Sequence, residues 1–216
     1  MNRGRWAKVV VLVGALMVQA GCASKPAVVV DPALAAARQR LVKNPGEPAP
    51  QFELAELYLK RHDYLRASQY LNLVEEQAPA RQRAAGIGEE RLFHLGVLIA
   101  VGSQHYSQAI RRCQARLEQV IGDAATRRLL ASLLEGVGDE AGAERQWRLL
   151  VALQPAEAQH VLELGRFYLR TDRVDRNQLA QRQFARYLEL APEGPEASRV
   201  KTALRIQQLD EQIAAE

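Results

Sequence analysis

The sequence predicts an all-α protein, a solenoid of about four helix-turn-helix repeats with a capping helix at each end. Four segments carry apolar and small residues at recurring spacings, and helix-ending prolines or glycines separate them. Apolar residues make up 48% of the 216-residue chain, which is enough for a substantial core. A generic helical bundle with coincidental leucine periodicity is the alternative.

The first 21 residues predict a signal peptide. Arg3, Arg5 and Lys8 form a positively charged start, and an apolar run follows from Val9 to Val18. This run is shorter than the roughly 20 residues that a membrane-spanning helix needs. Without the three basic residues the net charge of +4 falls to about +1, and aromatic residues make up only 6% of the chain. Composition therefore gives no support for nucleic acid as a partner.

The segment Ala20-Gly21-Cys22 resembles the cleavage box of bacterial lipoproteins. The resemblance implies cleavage before Cys22 and a covalent lipid on its thiol, which would anchor the chain to a membrane. Gln19 departs from the pattern, because lipoproteins usually carry leucine there. Ala23, in place of aspartate, implies the periplasmic face of the outer membrane. The alternative is an ordinary cleaved signal peptide, with Cys22 free or paired with Cys113.

Capping helices are expected on both sides of the repeats, after a lipid-anchor tether at 22–30. The N-terminal capping helix is predicted over 31–44, because Asp31-Pro32 indicates a helix start and Asn44-Pro45-Gly46 a helix end. The C-terminal capping helix is predicted over 195–216, where apolar residues recur mainly at helical spacing: Val200, Ala203, Leu204 and Leu209. Solenoids need such helices because their terminal repeats otherwise expose core residues.

The repeats are predicted at about 48–81, 89–123, 124–157 and 158–194, together spanning 48–194. The first and third have identical internal spacings: Leu54, Ala55, Tyr58, Ala67, Leu71 and Pro79 correspond to Leu130, Ala131, Leu134, Ala143, Trp147 and Pro155. The fourth has three extra residues in its turn. The second is degenerate, with Ile121-Gly122 where proline is expected and seven additional residues before it.

This pattern resembles the tetratricopeptide repeat (TPR) family across roughly 48–192. The resemblance implies a right-handed superhelix in which the first helix of each repeat lines a concave groove. Glycine costs up to about 1 kcal/mol inside a helix, so Gly96 and Gly165 indicate positions where a neighbouring helix approaches closely. Proline cannot continue a helix, so the second helices are expected to end at Pro79, Pro155 and Pro192.

By the same resemblance, the groove should hold the candidate peptide-binding residues. The pattern is apolar at one end and basic at the other, which suits a peptide with a hydrophobic anchor and an acidic end. Alternatively, Phe52 and Leu59 pack on the N-terminal capping helix and the arginines are merely solvated. The candidates are Phe52, Glu56, Leu59, Phe93, Val97, Arg128, Arg166 and Arg170.

The sequence carries no catalytic or metal-binding motif, so an enzyme is not expected. None of the four histidines forms an H-E-x-x-H pair. Cys113 occupies a position where other repeats have large apolar residues, which predicts a buried structural thiol. We expect no metal and no cofactor apart from the lipid on Cys22.

The combined features predict a lipid-anchored periplasmic scaffold that binds a protein or peptide segment of an envelope complex. Small TPR lipoproteins of type IV pilus and secretin assembly have a similar layout, although they usually contain about six repeats. The resemblance implies assembly of an outer-membrane machine for pili, secretion or polysaccharide export. The alternative is an adaptor that recruits cell-wall hydrolases or proteases; an enzyme or small-ligand binder comes last.

Overall fold

The computed structural model describes residues 31–215, which form eleven α-helices and no strand. The all-α prediction is therefore confirmed for this part of the chain. The helices are α1 (Pro32–Lys43), α2 (Pro48–Lys60), α3 (Tyr64–Glu75), α4 (Pro79–Ala84), α5 (Glu89–Gly102), α6 (Tyr106–Gln119), α7 (Ala124–Gly136), α8 (Glu140–Leu153), α9 (Ala158–Arg170), α10 (Arg176–Leu190) and α11 (Ala197–Ala215).

The helices pack in the order of the chain, as a solenoid requires. Four pairs form the repeats: α2 with α3, α5 with α6, α7 with α8, and α9 with α10. The second helix of each pair packs on the first helix of the next, and α10 packs on α11. At the other end α1 packs on α2. Each unit thus contacts mainly its sequence neighbours.

Three of the turns inside the repeats have the same backbone conformation. His62, Gln104 and Gly138 lie in the left-handed region, with φ of 58°, 62° and 82°. The following residue donates its N–H to a carbonyl five residues earlier, as Asp63 does to Tyr58 over 3.0 Å. This geometry satisfies the last carbonyls of the first helix. Gly138 is the only one of the three that the sequence marks clearly, because glycine adopts positive φ without steric cost.

Aspartate begins three of the helices. Asp63, Asp123 and Asp139 accept hydrogen bonds from backbone N–H groups three residues later, at 3.1, 2.9 and 2.8 Å. A carboxylate at this position satisfies an N–H that has no partner within the helix and favourably meets the positive end of the helix dipole.

Small residues allow the paired helices to approach closely, as the sequence predicts. Ala55, Ala67, Ala131 and Ala143 are completely buried. A Cβ atom added to Gly165 would lie 2.6 Å from the ring of Phe184 on the paired helix. The mid-helix glycine is therefore explained by packing against a large aromatic side chain.

The core consists of two apolar clusters on opposite sides of α5. Leu92, Leu95 and Ile99 join the N-terminal cluster, which extends through α1, α2 and α3. Phe93 and Val97 join the C-terminal cluster, which extends from α6 to α11. A helix that is apolar nearly all round is buried on several sides, and α5 links the two halves of the core.

Pro79 differs from the expectation that it ends a second helix. Helix α3 already ends at Glu75, and Pro79 lies in the first turn of the short helix α4. Proline suits this position because the first N–H groups of a helix need no partner within it. Gln82 of α4 is buried and donates to the carbonyls of Val74 and Gln77 at 2.8 and 3.0 Å. Part of the seven-residue insertion therefore caps α3.

Helix α11 covers the core only with its first half. Ala197 and Val200 are buried, whereas Leu209 is 50% exposed, contrary to its expected packing. Ile206 and Ile213 of the same helix are also exposed, at 53% and 71%. No helix within residues 31–215 is long and apolar enough to cross a membrane.

Candidate functional site

The first helices of the repeats present a partly exposed surface, which we call the first-helix face. It is the part of the fold where side chains not needed for packing lie side by side on α2, α5, α7 and α9. Its residues are Glu56, Leu59, Lys60, Arg91, His94, Leu98, Arg128, Ser132, Glu135, Glu163, Arg166 and Arg170.

An apolar cavity of about 430 Å³ lies at the N-terminal end of this face, between α2 and α5. Leu59, Leu95 and Leu98 supply its apolar surface. Leu98 is 57% exposed although it lies in the middle of a helix. The polar residues in the lining are Glu56, Lys60, Arg91 and His94. This combination of apolar surface with a few polar groups is typical of binding pockets.

Arg91 fixes one side of the cavity. Its guanidinium lies 4.6 Å from the ring centroid of Phe52, and its Nη2 donates to Glu56 Oε1 at 3.1 Å. Phe52 is only 2% exposed and belongs to the N-terminal core cluster. This placement corrects the expectation that Phe52 lines a groove, because the ring is buried in the core and its face contacts the guanidinium of Arg91. Glu56 and Leu59 line the cavity, and their role in peptide binding stays a prediction.

Phe93 and Val97 do not lie on the first-helix face. They are 9% and 3% exposed and pack in the C-terminal cluster. The exposed residues of α5 are instead Arg91, His94 and Leu98, which the repeat pattern does not single out. One sequence signal could have shown this, because between Leu92 and Val101 only His94 is polar. Such a helix presents its polar positions to solvent.

The C-terminal part of the face is electrically balanced by ion pairs. Arg166 pairs with Glu163 and Glu196, both at 2.9 Å, and Arg170 pairs with Glu135 at 2.7 Å. Glu135 also accepts from Trp147 Nε1 at 2.6 Å. The predicted basic end of the groove is therefore partly neutralised from within the chain. Arg128 remains exposed on α7.

Cys113 is a buried thiol, as the sequence predicts, and is 0% exposed. Burial raises the pKa of its thiol to about 11, and the charge of Asp123 adds to the rise. Cys22, the predicted lipidation site, lies outside the described residues. Three histidines are exposed, whereas His160 is buried, and burial lowers its pKa. In residues 31–215 no group of three His, Cys, Asp or Glu side chains could hold a metal ion.

Comparisons with known proteins identify the fold. No protein-family model matches the sequence, and no curated protein does. Among solved structures, YrrB, a TPR protein with an unusual peptide-binding site, is 16% identical, with a TM-score of 0.55 over 78% of this chain and 81% of YrrB. MamA from Desulfovibrio magneticus RS-1 is 17% identical, with a TM-score of 0.55 over 75% of this chain and 85% of that one. A further MamA structure is 13% identical, with a TM-score of 0.57 over 74% of this chain and 87% of that one. The described residues therefore have the TPR solenoid fold.

Proposed function

We propose that this protein is a non-catalytic scaffold that binds a segment of a partner protein in the cavity between α2 and α5. The observation that carries the proposal is Leu98, which is 57% exposed beside Leu59 and Leu95 in a concave, mainly apolar site. Buried apolar area supplies most of the binding energy at protein interfaces. The similarity to YrrB, a TPR protein with a peptide-binding site, supports a peptide ligand.

The charges around the cavity favour a segment that carries an acidic residue next to its apolar anchor. Arg91 and Lys60 are basic, and the charge of Arg91 is shared with Glu56 through a 3.1 Å ion pair. Lys60 is therefore the cation best placed to attract a carboxylate. Charge at the rim of an interface contributes more to orientation and association rate than to affinity.

The N-terminal sequence supports a proposal for where this protein acts. We infer that Cys22 carries the lipid and that the solenoid is held at the periplasmic face of the outer membrane. Confinement of scaffold and partner to one membrane raises their effective concentration. The partner class is then a component of an outer-membrane machine for pili, secretion or polysaccharide export. An adaptor that recruits cell-wall hydrolases or proteases is the second candidate, because the same cavity would serve it.

Site-specific crosslinking in the native bacterium tests the proposed site. A photoreactive amino acid replaces Leu98 in one strain and Leu149, an exposed leucine of α8, in the control strain. We expect a discrete crosslinked product from position 98 that position 149 does not give. Introducing Leu59→Lys into the strain with the crosslinker at position 98 should abolish this product, because the lysine places a charge in the apolar lining of the cavity.

The mass of the crosslinked product, read by mass spectrometry, separates a component of an envelope machine from a hydrolase or protease. Equal crosslinking from the two positions would contradict the assignment of the cavity as the docking site. So would a product from position 98 that persists with Leu59→Lys, provided that this variant keeps its helical circular dichroism.

A further inference from the structure

Arg127 of α7 is a buried cation without a counter-charge. It is 8% exposed, and no carboxylate in the described part of the chain lies within 4 Å of its guanidinium. Its Nη1 donates to Gln146 Oε1 at 3.0 Å and its Nη2 to the carbonyl of Ile121 at 2.8 Å. Its Nε is buried and has no acceptor among residues 31–215. Arginine stays protonated, and a buried charge that lacks an opposite charge is unfavourable.

The first repeat shows that the fold does not need this charge. Gln51 occupies the equivalent position, since it precedes Leu54 by three residues as Arg127 precedes Leu130. Gln51 is 5% exposed and donates to the carbonyl of Pro45 at 2.9 Å. Pro45 precedes Gln51 by six residues, just as Ile121 precedes Arg127. A neutral amide therefore ties the preceding loop to the first helix as well as an arginine does.

The remaining repeats place apolar residues at the same position, Leu92 and Val161, and both are buried. The third repeat alone among the four therefore combines burial with a positive charge at this position. Neither packing nor the loop hydrogen bond requires that charge, so it could serve a ligand of opposite charge.

Arg127 lines an open cleft of about 510 Å³ between the second helices α6 and α8. The wall also contains apolar surface from Leu117 and Leu130. The other lining residues are Gln114, Glu118 and Gln146. Glu118 is the acidic residue in this lining, and its carboxylate lies more than 4 Å from the guanidinium of Arg127. The cleft is separate from the cavity between α2 and α5, because the two share no lining residue.

We propose that this cleft binds a carboxylate group at Arg127. The carboxylate would take the place of Gln146 Oε1 at Nη1, and the neutral Gln146 side chain can turn away towards solvent. A carboxylate adds the attraction of opposite charge to the hydrogen bond that the neutral amide already accepts, and its two oxygens can accept two parallel N–H bonds. The short aliphatic part of the same ligand would lie beside Leu117, which is 9% exposed. The carboxylate belongs either to a small aliphatic acid or to an acidic side chain of a protein partner.

The test uses the full chain in detergent and follows its thermal unfolding at constant ionic strength. The carboxylate probes are butyrate, with chloride as its control, and the blocked peptide acetyl-Ala-Glu-Ala-amide, with its glutamine counterpart as the control. We expect at least one carboxylate probe to raise the melting temperature of the wild type in a saturable manner. Arg127→Gln should weaken this response at least tenfold, because glutamine keeps the loop hydrogen bond but removes the charge. Arg145→Gln, which neutralises an exposed arginine of α8, should respond as the wild type does.

The two carboxylate probes distinguish the source of the ligand. A response to butyrate equal to that of the glutamate peptide indicates a small acid, and a response to the peptide alone indicates a side chain of a partner. A wild type that responds to neither probe overturns the proposal, whatever the variants do. An unchanged response in folded Arg127→Gln overturns it as well.

Glu118→Gln gives an independent check. If the cleft binds a carboxylate, removing the neighbouring negative charge should strengthen the response severalfold. If Glu118 itself serves as the counter-charge of Arg127 in solution, the variant should instead melt at a lower temperature without any gain in ligand response, and the proposal fails.

Discussion

Single side chains decide which parts of the first-helix face can take a ligand. Leu98 is 57% exposed because no helix of residues 31–215 covers it, whereas Phe52 is buried in the core beneath the guanidinium of Arg91. Arg170 is exposed, but its guanidinium already forms an ion pair with Glu135. Apolar exposure, rather than positive charge, therefore distinguishes the candidate docking site from the rest of this face.

Cys113 should make the stability of the protein sensitive to alkaline pH. Burial raises its thiol pKa to about 11 in the folded chain, above the ordinary value for an exposed thiol. The unfolded chain therefore loses this proton first as pH rises, so the folded state is favoured at lower pH and loses this contribution between about pH 9 and 11. We expect a loss on the order of 2 kcal/mol from this group, measured by urea unfolding at pH 8 and pH 10.5.

Cys113→Ala is the matched variant for this measurement. It lowers stability at both pH values by leaving a small cavity, but it should lose less stability than the wild type on going to pH 10.5. Tyr168, whose pKa is raised to about 12 mainly by burial, contributes the same trend to both proteins and cancels in the comparison. Parallel pH profiles for the two proteins would contradict the assignment.

At the scale of elements, α11 is attached mainly through its first half, where Ala197 and Val200 are buried and Ala203 and Leu204 pack against the C-terminal cluster. Arg166 of α9 holds its start through Glu196, which also donates its backbone N–H to the hydroxyl of Tyr187. The role of Arg166 is therefore to position the capping helix, in addition to any contact with a ligand.

Arg166→Glu should loosen α11. The substitution replaces two ion pairs with repulsion from Glu163 and Glu196, and because Arg166 is partly exposed we expect a loss of about 1 kcal/mol. Hydrogen exchange of the amides at 197–209 should accelerate. Arg199→Glu is the control, since Arg199 also pairs with Glu196 but its side chain is 81% exposed. Equal exchange rates for the two variants would show that Arg166 does not hold α11.

At the scale of the whole molecule, α5 connects the two core clusters and so joins the docking cavity to the rest of the solenoid. The apolar face of α5 towards α2 forms both core and cavity floor, since Leu95 is buried and still lines the cavity. A ligand in the cavity therefore contacts a helix that the folded core holds in place, which lowers the entropic cost of binding.

The attachment of the whole molecule to a membrane is predicted to depend on Cys22. We expect Cys22→Ala to release the protein into the soluble fraction after cell breakage and to abolish incorporation of labelled palmitate. Cys113→Ala should leave both results as in the wild type, because its thiol is buried. Continued attachment and labelling of the Cys22 variant would contradict the lipid anchor.

The sequence by itself determined the all-α solenoid, its first helices and the burial of Cys113. These follow from local rules, because apolar periodicity, small residues and turn residues act within one repeat or between adjacent repeats. The regular pattern of α2 also placed Glu56 and Leu59 on its partly exposed side, where both line the cavity. The repeat pattern gave the wrong exposed positions for α5, where nearly every residue is apolar and His94 is the single polar residue between Leu92 and Val101.

Only the tertiary structure decided which charges are free and which apolar residues are covered. The packing of α5 buries Phe93 and Val97 and leaves Leu98 exposed. The insertion that forms α4 lies just before this helix. The ion pairs of Arg166 with Glu196 and of Arg170 with Glu135 join residues 30 and 35 positions apart in sequence. A charge is neutralised by what lies within a few ångströms of it, and that distance is set by how the helices stack rather than by the composition of any one of them.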